Sequence, residues 1–71
     1  MSTSDRIRIL LIKCGKITAS ELARRMGISS QALNSKMRRD DFKESELKAI
    51  AEALNCEYTM TFTIRETGEA V

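Results

Sequence analysis

The chain has 71 residues, 42% hydrophobic and 31% charged, which suits one small globular domain and argues against a disordered polymer. No apolar run approaches the ~18 residues of a membrane span, and the longest, Ile9-Leu10-Leu11-Ile12, is too short for a signal peptide, so a cytoplasmic protein is expected. The net charge of +2 conceals an asymmetry: residues 1–39 carry nine Lys or Arg against Asp5 and Glu21, or +7, and residues 40–71 carry three against eight acids, or −5, so one half suits a polyanion and the other is repelled by it.

The first helix is expected to start at a Ser4 N-cap, with Asp5 near the positive end of its dipole. Ile7, Leu10, Leu11 and Cys14 fall at i, i+3, i+4 and i+7, the period of a buried stripe, and Gly15 ends the helix in a left-handed cap. Ile9 and Ile12 lie off that stripe and either widen the core face, the preferred reading, or touch a partner. Thr18 opens a second helix, with Glu21 at the third position of a capping box; Leu22, Ala23 and Met26 are its apolar positions and Gly27 stops it.

Ser29 caps a third helix, with Ala32, Leu33 and Met37 as its inner stripe, and Asp40-Asp41 breaks the pattern. A fourth helix spans about Glu44 to Leu54 with Leu47, Ile50, Ala51 and Leu54 facing in, and Phe42 staples its start to the bundle. Beyond Asn55 the period changes to two. Tyr58, Met60, Phe62 and Ile64 alternate with Thr59, Thr61, Thr63 and Arg65, which predicts a strand with one apolar face. Residues 66–71 read as a loose tail.

A lone strand has no ladder for its backbone groups, and no second strand candidate stands out. Antiparallel pairing with the same segment of a second subunit closes the edge, which makes Tyr58, Met60, Phe62 and Ile64 the expected dimer interface. An irregular extended tail over the chain's own helices is the alternative.

From Ala19 to Met37 the spacing is that of a helix-turn-helix. Ala23 is small where two helices cross, Gly27 permits a left-handed turn, Ile28 drops into the core, and Ser29 restarts the helix. The run from Ile17 through Leu22, Ala23, Gly27, Ile28 and Ser29 to Met37, followed by Phe42 and the segment Glu46 to Leu54, resembles the Cro and phage-repressor (Xre-like) helix-turn-helix family over about residues 5–55. The resemblance implies a mainly α fold: a bundle of four to five helices, here with a C-terminal strand that pairs across a homodimer. It also implies transcriptional regulation, usually repression, at a two-part palindromic operator in double-stranded DNA. Many members carry a phosphate-contacting Gln at the start of the second helix, where this chain has Ala19, so that contact is lost or passes to a neighbour.

The expected organisation is a DNA-binding domain over residues 4–55, a dimerisation strand over 56–65 and a flexible tail over 66–71. By family position Ser30, Gln31 and Ser35 match base-contacting places, and the helical wheel adds Asn34 and Arg38. Gln31 and Asn34 can pair with an adenine edge and Arg38 with guanine, whereas the serines are also ordinary surface residues. Ser29 and Thr18, at helix starts, are candidates for phosphate contact, as are Lys16, Lys36, Arg39 and Lys43; of Arg24 and Arg25, at least one is expected on a solvated back face instead.

No histidine, close cysteine pair or glycine-rich phosphate loop is present, so no enzyme activity, metal or other cofactor is expected, and no sensor pocket or small-molecule ligand is indicated. The spacing of Cys14 and Cys56 leaves a disulfide open; two reduced cysteines packed as small hydrophobes is the plainer reading. The rival function is a protein–protein adaptor, antitoxin-like or anti-repressor-like, whose strand adds to a partner's sheet.

Overall fold

The computed structural model describes residues 1–71 and contains four helices: α1 (Thr3–Lys13), α2 (Ala19–Met26), α3 (Ser30–Arg39) and α4 (Glu44–Ala53). Helix α2 is the hub, packed on both α3 and α4. Its Leu22 and Ala23 are sealed in the interior with Ile7 and Leu11 of α1, Leu33 and Met37 of α3, and Ile50 and Leu54 from the last helix and its cap. The core is therefore aliphatic, and Phe42 contributes only as a half-buried flank packed against it.

Three helix starts follow local side-chain chemistry. Thr18 Oγ1 accepts from the Glu21 N–H at 3.1 Å, Ser29 Oγ accepts from the Ala32 N–H at 3.1 Å, and Glu46 reaches back to the Lys43 N–H at 2.8 Å. Gly27 closes α2 at φ 73, the left-handed conformation that only glycine adopts without cost.

Ser4 is not the cap of α1. Ser2 fills that place, because only Ser2 stands three residues before Asp5; Ser2 Oγ accepts from the Asp5 N–H at 3.0 Å and Asp5 reaches back to the Ser2 N–H. Ser4 lies inside the helix and is buried. Its hydroxyl donates to the Met37 carbonyl at 2.6 Å, and its N–H donates to Asp40 Oδ1 at 2.7 Å. The Thr18–Glu21 box is also incomplete, since the Glu21 carboxylate turns to Arg24 and Arg25, and such charge-assisted bonds are stronger than one to a neutral N–H.

Two readings of the apolar pattern fail. Ile9 and Ile12 are exposed and do not widen the core: the stripe through Ile7 and Leu11 leaves them on the outer side of α1. Ala32 is exposed as well. It stands one residue, or about 100°, from buried Leu33, which carries it out of the inner stripe.

After α4 the chain leaves the bundle. The radius of gyration is 13.7 Å and the extents are 43 × 24 × 20 Å, against about 11 Å expected for a compact chain of this length. No regular strand forms over residues 57–65 in the single chain. Instead Phe62 and Val71 exchange both backbone hydrogen bonds (3.0 and 2.8 Å), Ile64 N–H donates to Glu69 O at 2.8 Å, and a single antiparallel bridge joins Thr63 to Ala70. The tail thus supplies a short partner where the sequence offers no second strand candidate. Where this arm departs, an open cleft of about 530 Å³ lies between α1 and α4, lined by Ile7, Leu10, Leu47, Ile50, Tyr58 and Met60.

Candidate nucleic-acid interface

The starts of α2 and α3 lie side by side. Ser20 Oγ and Ser30 Oγ approach to 3.4 Å, so the second residue of one helix meets the first of the next. Each cap satisfies one backbone N–H, and the first two N–H groups of each helix, those of Ala19, Ser20, Ser30 and Gln31, have no intrahelical acceptor. Two positive dipole ends therefore meet on one surface, an arrangement suited to a phosphate. Ala19 itself is half-buried against the core, and the hydroxyl beside it that faces solvent belongs to Ser20.

Helix α3 leaves this point with Leu33 and Met37 inward. Ser30, Gln31, Asn34 and Arg38 are exposed, while Ser35 is half-buried in a shallow groove lined with Ala32, Lys36, Arg39 and Asp41. Four of the five expected base readers thus face solvent, and the fifth sits on the floor of a groove with two cations at its rim. Sequence reasoning missed two residues of this surface. Ala32 offers a methyl group suited to a thymine methyl, and the wheel position relative to Leu33 carried that signal. Ser20 was hidden because its significance depends on Ser30, ten residues away.

The cations divide into held and free. Glu21 binds both Arg24 (Nε to Oε1, 3.0 Å) and Arg25 (Nε to Oε2, 3.0 Å), and these hydrogen bonds hold its carboxyl down at about 2. Arg25 also donates to the Ala53 carbonyl at 3.2 Å, satisfying an end group of α4. Both arginines are thus structural, although exposed. Lys36 is ion-paired with Glu46, and that hydrogen bond, with the one from the Lys43 N–H, lowers the Glu46 pKa. Lys16, Arg38, Arg39 and Lys43 are exposed and in no ion pair. Of the expected phosphate contacts, Thr18 and Ser29 stand at the helix starts, Lys16 lies three residues before α2, and Arg39 and Lys43 flank the end of α3. Lys36 alone is already engaged.

A family model of the Cro/C1-type HTH DNA-binding domain matches residues 6–59. The chain belongs to that family. No curated protein and no solved structure matches the chain significantly. The match begins at Arg6 inside α1, takes in the other three helices and ends at Thr59, where the arm leaves the bundle. As a member of this family the protein is a DNA-binding regulator. No helix is long and apolar enough to cross a membrane.

Proposed function

We propose that the protein is a homodimeric transcriptional repressor that reads a palindromic operator through two copies of α3. The observation that carries this reading is the arm: Met60, Phe62 and Ile64 are all exposed on a segment that projects from the bundle, while Tyr58 at its root is half-buried. An apolar face presented to water beside open backbone edges is satisfied by a second copy related by a twofold axis. Such an axis sets the two recognition helices about 34 Å apart, one turn of B-DNA.

On each half-site Gln31 and Asn34 read adenine edges, Arg38 reads guanine, and Ser30 and Ser35 add single hydrogen bonds. Thr18, Ser29, Lys16, Arg39 and Lys43 hold phosphates, with the paired helix starts as the anchor. Lys36 joins them only by exchanging Glu46 for a phosphate.

The test is selection from random duplexes, followed by a solution-mass measurement of the complex. The expected outcome is an enriched inverted repeat bound by two chains. Replacing Met60 and Phe62 with Asp should yield monomers and collapse affinity for the repeat; intact dimers with full affinity would rule out the arm as the interface. Salt dependence separates this function from that of a protein adaptor. Operator binding weakens steeply as salt rises, whereas a complex sealed by apolar strand faces does not.

A further inference from the structure

One pair of reactive side chains has no part in DNA recognition. Cys14 is the C-cap of α1, and Cys56 follows Leu54, the cap of α4, by two residues. They are 42 residues apart in sequence, yet their Sγ atoms lie 3.7 Å apart, both half-buried and both free. Backbone bonds fix each one: the Cys14 N–H donates to Leu10 O at 2.9 Å, and the Cys56 N–H donates to Ala51 O at 2.7 Å after Asn55 turns the chain at φ 55. Bonding at about 2.05 Å requires the sulfurs to close by about 1.6 Å, a movement that side-chain rotation and a small shift at two helix ends can supply.

We propose that Cys14 and Cys56 form a disulfide when exposed to a low-molecular-weight disulfide of the glutathione class, stapling the end of α1 to the root of the C-terminal arm. The Cys14 thiolate attacks one sulfur of the reagent, whose S–S bond breaks, and the first small thiol leaves with the proton that Cys14 gave up. Cys56 then loses its proton and attacks the Cys14 sulfur, which releases the second small thiol. Two protein S–H bonds and one reagent S–S bond become one protein S–S bond and two reagent S–H bonds; the protein gives up two electrons and two protons, and the reagent takes both.

The hydrogen bond with Cys14, and then burial, push the Cys56 thiol pKa up, so Cys56 keeps its proton in the first exchange. The ring so closed encloses α2, α3 and α4 but places no bond on the recognition helix.

The experiment incubates the full chain with reduced and oxidised glutathione in set ratios, followed by intact mass, peptide mapping and thermal melting. The expected product is a monomer lighter by two hydrogens, with one Cys14–Cys56 cross-linked peptide and a melting temperature higher by roughly 10–20 °C, reversed by dithiothreitol. A stable glutathione adduct, an interchain disulfide, or a linked monomer with an unchanged melting temperature would overturn the proposal. Cys14→Ser and Cys56→Ser should each retain a glutathione adduct and show no rise; a rise in either variant rejects the staple. Mapping on the unmodified chain decides the connectivity even if a variant folds poorly.

Discussion

Phe62→Ala separates the dimer from the fold. In the single chain Phe62 is 68% exposed and is held by backbone bonds to Val71, which alanine keeps. Fully burying a phenylalanine contributes about 1.5–3 kcal/mol, so covering the exposed two-thirds contributes about 1–2 kcal/mol per copy. A twofold interface loses this twice, about 2–4 kcal/mol, which raises the dimer dissociation constant roughly 30- to 700-fold. The bundle should barely notice. A surface change of this kind stays within about 0.5 kcal/mol, or roughly 2–4 °C for a domain of this size. Sedimentation equilibrium across a dilution series measures the first quantity. Melting below the wild-type dissociation constant measures the second, because above it the dimer itself adds stability. A dissociation constant changed by less than tenfold would refute the interface. A loss of 8 °C or more in the dilute chain would show that Phe62 packs into its own bundle, and the reasoning from exposure would be wrong.

Four further outcomes are expected. Gln31→Ala should cost roughly 1–3 kcal/mol of operator affinity and relax one base position; an unchanged preference in a randomised-site selection removes Gln31 from the readers. Gly27→Ala should cost about 1 kcal/mol in urea denaturation, all of it from the positive φ, since a Cβ there would meet nothing within 4 Å, and Gly27→Asn should cost less; equal losses for both would contradict this. Ser4→Ala should cost about 1 kcal/mol by the same assay, because it removes the shorter of the two hydrogen bonds to the Met37 carbonyl and leaves only the Asp40 N–H at 3.3 Å. Glu21, whose carboxyl falls from 4.5 to about 2 on folding, contributes stability that is complete above pH 4.5 and lost as pH falls toward 2; Glu21→Gln should flatten that part of the acid limb in urea midpoints measured against pH.

How much was legible in the sequence depended on how local each cause is. Gly27 could be read because a positive φ is a property of one residue, and Thr18 and Ser29 because a cap acts three residues ahead. Ser4 was misread because Ser2 and Ser4 are equal candidates until Asp5 selects one and Met37, 33 residues away, claims the other. Ala32 has the apolarity of a core residue, but its angle from Leu33 turns it to solvent. The arm was half legible: its period showed an apolar face, but the pairing of Phe62 with Val71 carries no pattern in a tail this short. The same division runs through the interface. The proposed base readers lie on one helix and could be listed from its wheel, whereas the bonds that orient that helix join it to other elements. Ser4 holds the Met37 carbonyl, Asp40 at the end of α3 holds the Ser4 N–H, and Glu46 of α4 holds Lys36. Helices α1 and α4 therefore help to fix the orientation of α3, so if α3 reads DNA as proposed, substitutions at these bonds should alter recognition without touching a base.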